Sequence, residues 1–327
     1  MSREFTIIGA GVAGLCVATE LVSRGAKVAL HDTQGLPGPA SCSWWAGGML
    51  APFCEGEAAP EAVVRLGRAA AGWWQGHGVP VTHNGTLVIA LGRDRQELDR
   101  FARRTKDHSR LDAPAIAALE PDLGERFSTA LFYAGEAHLA PREALSVLAA
   151  RLAQNGVAIN TDAAPPSASH IDCRGLAARD SLRDLRGVKG EMLILRCPQI
   201  DLKRPVRLLH PRIPIYLVPR GDGVYMLGAT QIESNDRNRA TVRSVLELLS
   251  AAYALHPAFG EAEILEVGVD ARPAFPDNVP RVIRQGGVVH ANGLFRHGFL
   301  LAPALAGMVA DHVLNGARPE LFHEYHP

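Results

Sequence analysis

The sequence predicts an α/β fold in which a parallel sheet flanked by helices is combined with an inserted, mostly antiparallel sheet. Two units of strand, glycine turn and helix, one near each end of the chain, predict the parallel sheet. The stretch that begins at Gly190 has alternating or β-branched residues and a hairpin turn, which is typical of antiparallel strands. A chain of 327 residues can hold one large domain or two interleaved smaller ones.

The N-terminal unit carries the sharpest signal. Residues 5–8 are largely apolar, the turn Gly9-Ala-Gly-Val-Ala-Gly14 follows, residues 15–23 have helical spacing, and residues 27–30 predict a second parallel strand. In such a unit Gly9 permits the tight turn, Gly11 lets a pyrophosphate approach the backbone, and Gly14 lets helix and strand pack closely. The helix N-terminus favours phosphate, and the carboxylate of Asp32 can accept hydrogen bonds from ribose hydroxyls. The predicted dinucleotide-binding residues are therefore Gly9, Ala10, Gly11, Val12, Ala13, Gly14, His31 and Asp32.

Hydrophobic periodicity predicts the remaining elements. Helices are expected over residues 61–75, 93–105, 141–154, 240–254 and 299–314, and strands over residues 85–90, 157–160, 191–196, 213–219, 224–229, 264–271 and 288–293. Pro303 is expected near the first turn of the last helix, where proline is tolerated. Both terminal units belong to one nucleotide domain in this scheme. We predict that it comprises residues 1–55, 136–190 and 268–327, with a substrate domain formed by residues 56–135 and 191–267.

Composition excludes several classes of function. Lys plus Arg and Asp plus Glu both number 34, so the formal charge is zero and nothing attracts nucleic acid or an anionic membrane over the whole surface. The five cysteines form no C-x-x-C pair or zinc-ligand spacing, and the histidines form no clear metal pair, so neither disulfides nor a metal site is expected. The N-terminus shows no leader and we see no apolar run of membrane-spanning length, so a cytoplasmic location is expected.

The choice of dinucleotide follows from what the rest of the chain lacks. No second glycine motif of this quality is present, so if the first binds FAD, the electrons come from an organic substrate rather than from NAD(P)H. The nucleotide domain is then a Rossmann-like FAD-binding domain. Arg296 lies in a glycine-containing turn before the last helix, where a cation and a helix N-terminus would stabilise the charge of a reduced flavin. An ordinary turn with a surface arginine is the alternative.

Several motifs together resemble the D-amino-acid oxidase superfamily of FAD-dependent oxidoreductases, and within it the glycine oxidases. They are Gly9–Gly14 with Asp32, the segment Trp44-Trp-Ala-Gly-Gly-Met-Leu-Ala-Pro52, Tyr216-Leu-Val-Pro-Arg220, Gly268-Val-Asp-Ala-Arg-Pro273 and Phe295-Arg-His-Gly-Phe-Leu-Leu-Ala-Pro303. The resemblance runs from end to end. The stretch from 157 to 190 is shorter than in many relatives, and Gln231 and His297 stand where the family often has other residues.

The resemblance implies an FAD enzyme that oxidises glycine or a small amino acid to an imine, reduces oxygen to hydrogen peroxide and feeds thiamine thiazole biosynthesis, often as a homotetramer. It implies that Arg272 pairs with the substrate carboxylate, that Tyr216 hydrogen-bonds the same group, and that Arg296 lies beside substrate and flavin. It further implies a flavin lining formed by Ser41, Ser43, Ala46, Gly47, Gly48, Met49, Leu294, Phe295, Arg296, His297, Gly298, Phe299 and Leu300.

Other interpretations stay open at this point. Arg272 could form a cross-strand salt bridge with Glu266 or Asp270, and Tyr216 could be an ordinary half-buried sheet residue. The protein could be a D-amino-acid or sarcosine dehydrogenase that passes electrons to an acceptor other than oxygen. It could also be a flavin-holding assembly protein with little turnover, or an NAD-binding dehydrogenase.

Overall fold

The strands of the protein form two large sheets and one short ribbon in the computed structural model, which describes residues 4–164 and 170–324. In chain order the strands are β1 (Glu4–Ile8), β2 (Lys27–His31), β3 (Met49–Leu50), β4 (Thr86–Ala90), β5 (Ser109–Asp112), β6 (Thr129–Tyr133), β7 (Ala137–His138), β8 (Ile159–Asn160), β9 (His170–Asp172), β10 (Arg186–Arg196), β11 (Val206–Leu209), β12 (Ile215–Gly221), β13 (Val224–Gly228), β14 (Ile232–Glu233), β15 (Glu263–Ala274), β16 (Arg281–Gln285), β17 (Val288–Asn292) and β18 (Phe322–Glu324). The α-helices are α1 (Val12–Ser23), α2 (Pro52–Glu55), α3 (Glu61–Gly67), α4 (Ala70–Gly76), α5 (Arg95–Arg104), α6 (Ala113–Leu119), α7 (Pro141–Gln154), α8 (Val242–Leu255) and α9 (Gly298–Asn315).

The first sheet has the order β18-β16-β17-β9-β1-β2-β8, so strands from both ends of the chain lie side by side. β1 pairs in parallel with β2 and β9, and β17 also pairs in parallel with β9, while β16 and β17 form an antiparallel hairpin. Helices α1 and α9 pack against each other beside this sheet, and their apolar residues fill the largest core. The prediction that both terminal units build one largely parallel sheet is confirmed.

The second sheet is mostly antiparallel and runs β14-β10-β13-β12-β11-β4-β6-β5, with β15 also paired to β10. Its parallel pair is β11 with β4. Helix α8 covers one face, where Leu248 and Ala252 join a core with residues of β10, β12 and β13. The predicted division into domains stays a prediction. Its borders at residues 190 and 267 fall inside β10 and β15, which are therefore longer than the sequence indicated.

Two predicted helices differ in detail from the structure. The helix expected over residues 61–75 is divided into α3 and α4. Gly67 ends α3 at a point where an added Cβ atom would lie 2.8 Å from the side chain of Leu300, so the glycine permits close approach of α9. The shortened stretch between residues 157 and 190 includes residues 165–169, which lie outside the described residues.

Helix α9 corrects two sequence expectations. It is long and apolar enough to span a membrane by length and composition alone, contrary to the expectation that no such run exists, but half of it is buried against the protein core. Pro303 is the sixth residue of α9 and so lies beyond the first turn. Proline has no N–H to donate to the carbonyl four residues earlier, that of Phe299. The indole Nε1 of the fully buried Trp74 donates to this carbonyl instead, at 2.8 Å.

Candidate active site

One cavity of about 1760 Å³ is lined by residues of both sheets and by the loops at the carboxyl end of β1 and β2. It exceeds the roughly 300–1,000 Å³ typical of a pocket for a small ligand, so it has room for a dinucleotide and a substrate together. Ligands of open α/β sheets bind at this carboxyl end of the strands. The cavity therefore lies where the sequence predicts the site.

The glycine turn between β1 and α1 forms one end of the cavity. Gly9 has φ of +102°, and a Cβ atom there would lie 2.6 Å from the carbonyl oxygen of Cys173. A Cβ atom on Gly14 would lie only 1.8 Å from the carbonyl oxygen of Gly9, so Gly14 allows α1 to pack on the turn. Gly14 does not itself line the cavity, whereas residues 9–13 do.

The first turn of α1 has the features of an anion-binding site. Gly11 precedes the helix without a capping side chain, and the first turn has no acidic residue. The backbone N–H of Val12 donates to Oγ of Ser43 at 3.1 Å, and the N–H of Ser43 donates to Oγ of Ser41 at 3.3 Å. Backbone donors and small hydroxyl side chains at a helix N-terminus suit a pyrophosphate. These residues fit the phosphate portion of FAD.

Asp32 follows β2 and lines the same cavity. Its carboxylate accepts the backbone N–H of Ala10 at 2.7 Å and that of Gln34 at 2.9 Å. Two carboxylate oxygens have about four acceptor positions, so the group can still accept hydrogen bonds from ribose hydroxyls. His31 is buried beside it, with Nδ1 3.1 Å from the carbonyl oxygen of Asp162. Both residues therefore lie where an adenosine ribose is expected.

A second acid next to the turn is structural. Asp172 ends β9 beside Ile8 and is 3% exposed. Burial opposes its ionised form, but His290 and Arg174 outweigh that effect and lower the pKa of Asp172 to about 2. Arg174 donates to it from both its backbone N–H, at 2.9 Å, and its guanidinium. This ion pair fixes the chain that crosses behind the glycine turn.

The segment from Ser41 to Met49 also lines the cavity. A short 3₁₀ helix, Cys42–Trp45, begins after Ser41, and the small residues that follow keep the backbone close to its neighbours. A Cβ atom on Gly47 would lie 2.9 Å from the ring of Tyr216. The guanidinium of Arg220 donates to the carbonyls of Ala46 at 3.3 Å and Gly47 at 2.7 Å, and burial lowers its pKa to about 10. The predicted lining residues Ser41, Ser43, Ala46, Gly47, Gly48 and Met49 all border the cavity.

The turn before α9 forms another part of the cavity wall. Gly293 has φ of +82°, and a Cβ atom there would lie 2.2 Å from the ring of Phe275. The N–H of Phe295 donates to the carbonyl of Pro273, which joins this turn to the end of β15. The predicted residues Leu294, Phe295, Arg296, His297, Gly298, Phe299 and Leu300 all line the cavity. Gln231, at one of the two positions where the chain departs from the family pattern, lines it as well.

Arg272 projects from β15 into the cavity and is half-buried. Its Nη1 donates to the carbonyl of Thr230 at 3.2 Å, and it forms no ion pair with any described residue. The two acids that could have neutralised it are engaged elsewhere. Arg142 binds Glu266 through two hydrogen bonds of 2.7 and 2.8 Å, and Arg237 pairs with Asp270. The alternative of a cross-strand salt bridge at Arg272 is therefore wrong.

Tyr216 lies on β12 between Gly47 and Gly228, and its ring lines the cavity. Its hydroxyl has no hydrogen bond to any described residue. The side chain is half-buried, as expected of a sheet residue, but it also borders the site. The structure thus places Tyr216 and Arg272 in the same cavity as the glycine turn.

Arg296 is in the cavity but is not free. Its guanidinium pairs with Glu55, with Nε at 2.9 Å and Nη2 at 2.7 Å from one carboxylate oxygen. Arg207 donates to the other oxygen of the same carboxylate. No local pattern indicated Glu55 or Arg207, since Glu55 is far along the chain from both arginines. Thr230 belongs to a motif of the family resemblance, but the hydrogen bond that its backbone carbonyl accepts from Arg272 was not predicted.

Comparison with known proteins agrees with this geometry. A sequence profile described as FAD dependent oxidoreductase, DAO, matches residues 4–312. The chain belongs to this family. FAD is accordingly its cofactor, and the residues around the glycine turn and Asp32 are suited to hold it.

Individual relatives narrow the assignment. The chain is 54% identical, over 94% of its length and 95% of the relative's, to a protein of Rhizobium etli provisionally named thiamine biosynthesis oxidoreductase ThiO. It is 27% identical to the glycine oxidase of Pseudomonas putida over 98% of the chain and 96% of that enzyme. The crystal structure of iminodiacetate oxidase IdaA from Chelativorans superposes with a TM-score of 0.81 at 24% identity, covering 97% of this chain and 96% of that one. The protein is thus an FAD-dependent oxidoreductase of the glycine oxidase type.

Proposed function

We propose that the protein oxidises glycine, or another small amino acid, to the corresponding imine and reduces oxygen to hydrogen peroxide. The substrate loses two hydrogen atoms, one from its α-carbon and one from its nitrogen, which together amount to two electrons and two protons. FAD, when bound, accepts the two electrons and passes them to oxygen. The similarity to ThiO and to glycine oxidase supports this substrate class and the use of the imine in thiazole formation.

The availability of Arg272 is the observation that carries the proposal. Its guanidinium borders the cavity, while neighbouring acids are paired with Arg142 and Arg237. A planar guanidinium can donate two parallel hydrogen bonds to a carboxylate, which fixes the rotation of the substrate as well as its position. The unpaired hydroxyl of Tyr216 can donate to the same carboxylate. Together the two groups would determine which α-hydrogen faces the cofactor.

The chemistry predicts a rise of activity with pH. The substrate nitrogen must be neutral before its α-carbon can be oxidised, so deprotonation of the substrate ammonium precedes the reaction. The proposed role of the protein is to orient the substrate rather than to supply a nucleophile.

The test is turnover by the purified FAD-loaded protein with glycine, sarcosine and small D-amino acids. We expect oxygen consumption with an equal amount of peroxide for at least one of them. Arg272→Met should lower kcat/KM by roughly two to four decades, because removal of one partner of a buried ion pair costs about 3–5 kcal/mol. Arg103→Met, at an exposed position in α5, is the matched control.

Two other outcomes would contradict the proposal. Reduction of a dye without oxygen consumption would indicate a dehydrogenase. A flavin band that no amine bleaches without air would indicate a flavin-binding protein with no oxidase activity. The homotetrameric assembly expected from the resemblance stays a prediction, and sedimentation would measure it.

A further inference from the structure

A buried carboxylate, that of Glu55, lies between two arginines in one wall of the cavity. Glu55 ends α2, Arg207 is on β11, and Arg296 precedes α9. All three line the cavity. One oxygen of Glu55 accepts from Arg207, and the other accepts from Arg296 at 2.9 Å. The carboxylate therefore joins three distant parts of the chain.

The three side chains differ in their exposure. The exposed fractions are 9% for Glu55, 13% for Arg207 and 34% for Arg296. Burial opposes ionisation of Glu55, but the positive charges of Arg296 and Arg207 outweigh it and hold its pKa well below the usual range. The carboxylate is thus charged at neutral pH, and Arg296 is the accessible cation beside it.

His297 is the other titratable group against this carboxylate. Its Nδ1 lies 3.3 Å from Glu55. Burial lowers the pKa of His297 to about 4, although Glu55 opposes the shift. The histidine is therefore neutral at neutral pH. The cluster has two cations and one anion, and its anion contacts both cations.

The contrast with Arg272 has a consequence for substrate choice. The exposed Arg212 and Arg243 line the cavity without an ion pair to any described residue. Of the two less exposed guanidinium groups compared, Arg272 has no acid partner among the described residues, whereas Arg296 is already paired with Glu55. A ligand with one carboxylate needs only the first. A ligand with a second carboxylate directed at Arg296 would meet the negative charge of Glu55 at contact distance. Because Arg296 already donates to Glu55, a second carboxylate would have to lie against that like charge or displace it, and either arrangement weakens binding.

We propose that Glu55 determines substrate specificity by occupying Arg296, so that the site accepts amino acids with one carboxylate and rejects those with two. This inference rests on the proposed function, because it assumes that the substrate carboxylate binds Arg272. It assigns no bond-making role to Glu55. Loss of its charge should leave Arg296 able to bind a second carboxylate.

The experiment measures binding of non-oxidisable acids to the FAD-loaded protein. Malonate, succinate, glutarate and adipate are each compared with their own monoamides, so that length varies while one carboxylate is kept. Binding is followed through the visible flavin band, in chloride-free buffer because chloride competes for an unpaired guanidinium. In the wild-type protein each monoamide should bind at least tenfold more tightly than its diacid.

Glu55→Gln should reduce or reverse that preference by at least tenfold for one or more lengths. Glu55→Asp, which keeps the charge, should retain the preference. Glu97→Gln is a matched control, since Glu97 also lines the cavity and pairs with Arg100 at 2.9 Å. If Glu55→Gln does not fold, the double variant Glu55→Gln with Arg207→Gln keeps the charge balanced and should show the same gain for diacids.

The outcomes separate this inference from the proposed function. An unchanged ratio of monoamide to diacid affinity in the variants, or an equal shift in Glu97→Gln, overturns the role of Glu55 and leaves the oxidase proposal intact. Monoamide binding that survives Arg272→Met overturns the carboxylate clamp, and with it both proposals.

Discussion

Substitution of Gly190 by alanine should disable the clamp without unfolding the protein. Gly190 lies on β10 opposite Asp270, and its neighbour across the strands is the guanidinium of Arg272. A Cβ atom at Gly190 would lie 2.3 Å from Nη2, 2.5 Å from Cζ and 2.7 Å from Nη1 of Arg272. All three atoms belong to the end of a flexible side chain, so the guanidinium can move away while the strands stay paired.

The size of the effect follows from the displacement. Ordinary contact requires about 3.4–4 Å between carbon and its neighbours, so the guanidinium must shift by about 1 Å. A misplacement of about 1 Å in a substrate-positioning group can cost about 10²-fold in rate, equivalent to about 2.7 kcal/mol. The stability change should stay within about 1 kcal/mol, because Gly190 has an extended backbone that alanine adopts readily.

Steady-state turnover of glycine and thermal melting test this prediction together. We expect kcat/KM to fall about 10²-fold in Gly190→Ala, while the melting temperature stays close to that of the wild-type protein. Gly72→Ala is the control, because a Cβ atom there has no neighbour within 4 Å. Full activity in a folded Gly190→Ala variant would refute the assignment of Arg272 as the clamp.

Three further predictions concern cofactor binding and stability. Gly11→Ala should fold but bind FAD at least about tenfold more weakly, as measured by flavin fluorescence. Gly14→Ala should fail to fold, as measured by circular dichroism, because its Cβ atom would lie 1.8 Å from a backbone oxygen. Trp74→Phe should lower the free energy of unfolding, measured by denaturant titration, by about 1–3 kcal/mol, because the carbonyl of Phe299 loses its donor. The loss should be smaller in the Pro303→Ala background, where a backbone N–H is restored, and an equal loss in both backgrounds would contradict this cause. The pKa of Asp172 is lowered from 3.8 to about 2, so its ionised form contributes about 2 kcal/mol to the free energy of unfolding above about pH 4, and this contribution is lost as the pH falls to about 2. Asp172→Asn should remove this acid-dependent loss of stability, and an unchanged pH dependence of unfolding in the variant would contradict the prediction.

Contiguous motifs made the nucleotide end of the molecule predictable. In the first unit the turn from Gly9 to Gly14 and the acid Asp32 belong to one strand, helix and strand, so chain geometry alone places them together. The resemblance to a known family supplied Arg272 and Tyr216, and the structure places both beside the cavity. The nature of the fold and the end of the cavity near the glycine turn could therefore be predicted from sequence.

Contacts between distant segments could not be predicted in the same way. Glu55 is 152 residues from Arg207 and 241 from Arg296, so no local spacing indicates their pairing. The start of β10 was also missed, because Gly187 and Gly190 weaken the strand pattern. Each of these glycines gives room to a side chain from another segment, so the same residues that obscure the strand are required by its neighbours.

The pairing of Arg142 with Glu266 and of Arg237 with Asp270 has a practical consequence for protein engineering. Each neighbouring acid on β15 has its own counter-ion, drawn from α7 or from the segment before α8. An arginine introduced alone beside unpaired acids on another scaffold would form an ion pair with the nearest carboxylate. A carboxylate receptor copied from this protein must therefore carry its two companion salt bridges with it.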